Sequence, residues 1–295
     1  MISDNVMVLN YRIGVWGAEK TDRTISNEVC DERQADHDAG KFIKNLLGGK
    51  CDSLTAIKNN AQLARMNIRR ITLPYSTSSV LIPNLILIEV LGKVREMEDE
   101  FNGLVNDFID EYPDIIERAR ERANNLFDEN QCPTPEQVRS KFYFEYHLEP
   151  MPDNNSFDRV LGLDTIKDQM KQDLDHRMRQ VFKAGENELK VRLLARLKTT
   201  LSSLESTTRQ MDKRVAATNL EVVRSVTTLN VMGNADVTAI CGILEDLSIQ
   251  WQSIKENVLE RANRINQVNS TIRLYYGATP PPVSVQEDLI SEHAN

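Results

Sequence analysis

The sequence predicts a mainly α protein: an N-terminal helical unit with a small two-stranded sheet, followed by a long antiparallel helical hairpin of coiled-coil type. Three observations predict it. Apolar residues recur at steps of three and four over most of the 295 positions, only two stretches alternate with the period of a strand, and a Gly-Asn pair separates two long apolar stripes. Composition agrees. Apolar residues are 40 % and charged residues 27 %, which excludes wholesale disorder, and 6 % aromatics leaves little for a large β-sandwich or barrel. The expected divisions are 1–152 for the N-terminal unit, 153–276 for the arm and 277–295 for a mobile acidic tail.

Met7, Leu9, Tyr11, Ile13 and Val15 alternate with polar or smaller residues and predict the first strand. Phe142, Phe144, Tyr146 and Leu148 predict the second, ended by Pro150 and Pro152. A lone strand cannot satisfy its backbone, so the two are expected to pair. Between them the pattern reads as helices. One covers 26–47, with Val29, Phe42, Ile43, Leu46 and Leu47, and stops at Gly48-Gly49. Ser53 is the expected cap of the next, which carries Leu54, Ile57, Ala61, Ala64 and Ile68 and ends before Pro74. Residues 80–91 are the most apolar stretch, too short and too often interrupted to span a bilayer of ~20 residues, and read as the buried start of a long helix. That helix runs to Glu111 with Leu87, Leu91, Val94, Met97, Phe101, Leu104, Val105 and Phe108, and Pro113 opens a further one. Thr134-Pro135-Glu136-Gln137 predicts a capped helix with proline in its first turn.

After a polar linker at Asp153-Asn154-Asn155-Ser156, a helix capped by Asp164 is expected, with an interruption at Gly185. The first rod of the hairpin covers 194–232. Its stripe reads Leu194, Leu197, Leu201, Leu204, Thr208, Met211, Val215, Thr218, Val222, Ser225, Leu229 and Met232. Gly233-Asn234 supplies the turn. The second rod continues through Ile240, Leu244, Leu247, Trp251, Ile254, Val258, Ile265, Val268, Ile272 and Tyr275. Each arm of about forty residues would be ~60 Å long. The hydroxylated positions weaken the seam, so its burial calls for a partner, a second copy or the earlier helix from Asp164 to Phe182, and Leu194, Leu197, Leu201, Leu204, Met211, Leu247, Trp251 and Ile254 are the expected contacts for self-association or a partner.

Net charge is −8, unevenly placed. Residues 84–130 carry thirteen acids against five bases, whereas 190–224 carry eight bases against three acids. Lys190, Arg192, Arg196 and Lys198 fall within about two helical turns, where they offer an anion or nucleic-acid contact, with few aromatics for base stacking. Trp16, Glu19 and Lys20, in a loop after the first strand, offer a partner contact. The alternative for Trp16 is packing over the corner that follows the strand.

No residue set dictates a reaction. Cys30, Cys51, Cys132 and Cys241 lie far apart without zinc spacing. Gly48-Gly49-Lys50 lacks the upstream glycine and following hydroxyl of a phosphate loop and reads as a helix stop. Asp36-His37-Asp38 reads as a solvated face, and His147 with Glu145 and Glu149 shares a strand face but has no third element. No cofactor, metal or catalytic residue is therefore expected. The opening five residues show no basic region followed by an apolar run, so the expected location is the cytoplasm, without membrane attachment.

Three segments carry a resemblance: Leu9-Asn10-Tyr11-Arg12-Ile13-Gly14-Val15-Trp16-Gly17-Ala18-Glu19-Lys20, Glu111-Tyr112-Pro113, and Phe142-Tyr143-Phe144-Glu145 near Pro150-Met151-Pro152. Together they resemble a family of uncharacterised phage and mobile-element proteins, often encoded beside a MoxR-like AAA+ ATPase and a protein with a von Willebrand factor A domain. The likeness covers mainly residues 6–152. It implies a phage or integrative-element origin and a role as adaptor of a AAA+ machine, and assigns no catalytic residue. The resulting expectation is a non-enzymatic interaction protein that self-associates and binds a protein complex. That complex is either the ATPase or a host immune assembly, which the protein would inhibit. The alternative is a nucleic-acid-binding accessory factor in phage replication or recombination, using the basic stripe.

Overall fold

The computed structural model describes residues 5–152, 164–206 and 211–277. The linker at 153–156, Thr208 and the acidic tail beyond Gly277 lie outside the described residues. The mainly α class holds, with two small sheets among the described residues. The chain forms two compact units, each discontinuous in sequence. One comprises Leu9–Arg70 and Ile88–Leu148. The other comprises Met1–Val8, Ile71–Leu87 and Glu149–Asn295, so residues 71–87 belong with the C-terminal helices rather than with the N-terminal unit.

Both predicted strands form, as β1 (Val6–Gly14) and β6 (Tyr143–Pro150), and they are neighbours. Their sheet has four strands rather than two, in the order β4-β5-β1-β6, where β4 is Leu73–Pro74 and β5 is Ser79–Pro83. The apolar run at 80–91 is thus a fully buried strand first and a helix only afterwards. A continuous apolar run does not distinguish the two. The buried parity of β1 changes between Val8 and Leu9. Val6 and Val8 join the core of the C-terminal unit, whereas Leu9, Tyr11 and Ile13 are buried in the N-terminal one.

In the N-terminal unit, β2 (Glu19–Asp22) leads directly into α1 (Arg23–Glu32), whose N-cap is Asp22. The predicted helix over 26–47 stops after Glu32, where Gln34 takes φ +54°. Phe42–Asn45 is β3, antiparallel to β2. Four residues are too few to display a strand period, which is why the sequence did not reveal it. Helix α2 (Asp52–Arg70) buries Leu54, Ile57, Ala61, Ala64 and Ile68, the predicted stripe. Ser53 lies inside it and donates to Glu111 instead of capping. Helix α3 is one helix, Leu87–Ala123, continuous through Pro113. Tyr112 and Ile115 on either side are buried and hold it in register, while Pro113 faces solvent. Helix α4 (Pro135–Arg139) has the full capping box between Thr134 and Gln137. Trp16 packs edge-on to Tyr112 at 6.1 Å, and Phe108 meets Phe142 at 5.7 Å.

The C-terminal unit is built on α5 (Asp164–Glu205), which runs unbroken through Gly185, since one interior glycine costs a helix only ~1 kcal/mol and this one packs against Leu73. The predicted hairpin turn is present: Gly233 has φ +63°, and Asn234 caps α7 (Ala235–Ile249) after α6 (Lys213–Leu229). Each predicted rod is divided, however. Asp212 accepts from the Arg214 and Val215 N–H groups and starts α6 afresh. Burial consequently falls on Ala216, Asn219, Val223 and Val226, one residue on from the predicted seam. The second rod is α7, α8 (Trp251–Glu256) and α9 (Val258–Tyr276), with Asn257 capping the last and Val258 left 70 % exposed. Arg264 of α9 pairs with Asp246 of α7 at 2.7 Å, and the Tyr276 hydroxyl at the far end of α9 donates to the Lys190 carbonyl of α5. Lys190 in turn pairs with Asp236 at the start of α7. These contacts set α5, α6, α7 and α9 as an up-and-down four-helix bundle.

Candidate functional site

In the N-terminal unit a cleft of about 300 Å³ opens between β3 and the chain that follows α3, at the small end of ligand-binding cavities. One wall is Phe42, Ile43, Lys44, Asn45 and Leu46. The other includes Arg122, Leu126, Phe127, Asp128 and Cys132. The wall of β3 consists of consecutive residues. A cleft over the face of a strand would be lined by alternate ones, so this cleft runs along the strand's edge.

Local sequence explains the geometry. Gly48 has φ +66°, and a Cβ there would lie 2.8 Å from the Ala119 Cα, so only glycine lets the turn after β3 rest on α3. Asp22 accepts from the Ile25 N–H and lies 3.4 Å from Lys44 Nζ. The Ile25 bond above all, helped by Lys44 against an opposing effect of burial, holds the Asp22 carboxyl below the usual carboxylate range. Lys44 also donates to the Leu126 carbonyl at 3.2 Å and so ties the two walls together. Arg120 lies over the Phe127 ring at 5.4 Å and reaches Glu129 at 3.2 Å. Arg122 is exposed and, among the described residues, has no ion-pair or hydrogen-bond partner.

The thiol and carboxyl groups of the cleft are engaged by their neighbours. Its thiol, Cys132, is pushed up by burial and donates to the Asp128 carbonyl, so it is protonated at neutral pH and a poor nucleophile. Asp128 is occupied by the Asn130 N–H and the Gln131 amide. Behind the wall, burial pushes Tyr112 up to about 12, and its hydroxyl donates to the Pro133 carbonyl. Ile43 at 58 % and Leu126 at 48 % leave apolar surface exposed on the two opposing walls.

The residues that sequence singled out lie elsewhere. Leu194, Leu197, Leu204, Met211, Leu247 and Ile254 are buried within one chain's bundle, with Leu201 and Trp251 half-buried against it. The seam meant for another molecule is therefore covered by the chain's own helices. Of the basic stripe, Lys190 pairs with Asp236, and Arg192 pairs with Glu188 at 2.9 Å while donating to the Thr72 carbonyl. Arg196 donates to Asn219 and to the Val215 carbonyl, and burial lowers its pKa. Lys198 alone of the four is exposed. Trp16 is buried, the packing alternative, whereas Glu19 and Lys20 are exposed on β2. His37 bonds Asp31, and Glu145, His147 and Glu149 share the exposed face of β6. Among the described residues no group of three or more His, Cys, Asp or Glu is placed to hold a metal, and no helix is long and apolar enough to cross a membrane.

Sequence reasoning missed the cleft because it needs β3, hidden inside a helical reading, and a wall more than eighty residues away. The one available signal was Gly48-Gly49, read only as a stop. Compared with known proteins, the chain matches no family model, no curated protein and no solved structure.

Proposed function

We propose that the chain is a non-enzymatic partner-binding protein of a mobile element, and that the cleft beside β3 is where it holds its partner. The observation that carries this is the pairing of exposed Ile43 and Leu126 across a walled cleft that also offers an unpaired Arg122 and no activated nucleophile. The resemblance to proteins encoded beside a AAA+ ATPase makes an adaptor of that machine the first assignment, with inhibition of a host immune complex as the other use of the same surface. The basic-stripe reading for nucleic acid loses its support, since Lys190, Arg192 and Arg196 are engaged within the bundle.

Tagged full-length chain, captured from its native host, tests the proposal. A protein recovered in stoichiometric amount by the wild type and lost with Ile43→Glu and Leu126→Glu is the expected result, provided both variants keep the wild-type circular dichroism and melting temperature. Recovery indifferent to both substitutions would sink it.

A further inference from the structure

The edge of β3 that faces the cleft has open backbone groups. The Leu46 N–H donates to the Ala18 carbonyl at 2.8 Å, in the same register as Glu19↔Asn45. Antiparallel ladders alternate bonded and non-bonded pairs. The bonded pairs of this ribbon are therefore Ala18 with Leu46 and Lys20 with Lys44; at the next such position the Phe42 N–H donates to the Ser26 hydroxyl, which itself donates to the Asp22 carbonyl. The backbone groups of Ile43 and Asn45 point away from β2. The Asn45 carbonyl accepts from the Gly48 N–H, which leaves the Ile43 N–H, the Ile43 carbonyl and the Asn45 N–H without a partner among the described residues.

We infer that an extended peptide segment of the partner protein enters the cleft and adds to β3 as a third antiparallel or parallel strand. This rests on the partner-binding reading above and names the form of the partner. An open edge is normally guarded by charge, proline or a covering element, because it otherwise pairs with any strand it meets. Here the β2 side of the ribbon carries exposed Glu19 and Lys20, whereas the β3 side faces a cleft of about 300 Å³ whose opposite wall is Arg122, Leu126 and Phe127. Four residues of β3 span ~13 Å, enough for three or four residues of a peptide. Main-chain bonds to Ile43 and Asn45 supply affinity, and alternate side chains supply specificity. An apolar side chain meets Ile43, Leu126 and Phe127. The unpaired Arg122 guanidinium, next to a lysine already matched by Asp22, calls for one carboxylate on the peptide. The occupant is thus an apolar extended segment that carries one acidic residue.

An array of hexapeptides varied at every position, probed with the full chain, supplies the test. The expected selection is apolar or β-branched residues at alternate positions with Asp or Glu at one fixed position. Arg122→Glu should weaken the selected peptides at least tenfold and shift that position to Lys or Arg. In the best peptide, N-methylation should abolish binding at every second residue, those whose N–H faces β3, and be tolerated at the others; this readout needs no altered protein. Equal tolerance of N-methylation at all positions, or a selection unchanged by Arg122→Glu, overturns the inference. So does a tenfold gain in peptide affinity on deleting residues 278–295, which would make the chain's own end the occupant. Partner capture that still depends on Ile43 and Leu126 would then leave the partner-binding reading standing without the added strand.

Discussion

Gly48 shows how a single residue fixes the cleft. Its φ of +66° costs a side-chain-bearing residue ~1–2 kcal/mol, and the 2.8 Å approach to the Ala119 backbone adds a clash that no rotamer relieves. Gly48→Ala should therefore lower the urea midpoint markedly. Gly103→Ala, in the middle of α3 with open space around it, should instead raise stability by about 0.5–1 kcal/mol. The capping carboxylates make a separate statement about acid. Asp22, bonded by Ile25, and Asp212, bonded by Val215 and Arg214, both have carboxyl pKa values held below the ordinary range. A depressed folded-state pKa contributes stability that is fully present above the unfolded value near ~4 and is lost as pH falls through the folded one. Urea midpoints of Asp22→Asn and Asp212→Asn should match the wild type more closely at pH 3 than at pH 7. Equal differences at both pH values would show that these charges do nothing for stability.

Helices here end where caps and packing put them, and the apolar period alone does not locate the ends. Pro113 lacks the N–H that would bond the Ile109 carbonyl, yet α3 passes through it because Phe108, Tyr112, Ile115 and Ala119 keep one face buried. Pro113→Ala removes that defect at an exposed position and should stabilise the protein by up to ~3 kcal/mol without changing its helix content, as measured by chemical denaturation and circular dichroism. The division between α5 and α6 works the other way. The stripe keeps its three-four spacing across 205–213 only through Thr208 and Met211, and the Asp212 cap starts α6 and shifts burial to Ala216 and Asn219. Asn219 of α6 is fully buried and its side-chain oxygen accepts from Arg196 and Thr200 of α5, so a polar link between the two helices stands one residue on from Thr218 of the expected seam.

The leucine seam has become the interior of one chain's bundle, and this changes what its mutation should do. Leu197 is fully buried, so Leu197→Ala should cost ~2–5 kcal/mol and appear as a lower melting temperature. A change of mass by light scattering with unchanged melting would return the seam to a role in assembly. The helical class, strands β1 and β6, the α2 stripe, the Thr134 cap and the Gly233-Asn234 turn were all legible in the sequence, because each depends on residues adjacent in the chain or on one period repeated several times, and the β1–β6 pairing followed because a strand alone leaves its backbone unsatisfied. Only the packing of distant segments places residues 71–87 with the bundle, divides the two rods into α5 and α6 and into α7, α8 and α9, and leaves β3 open beside Leu126. Those outcomes rest on which distant face covers a given apolar stripe or backbone edge, and a one-dimensional period says that a surface must be covered without saying by what.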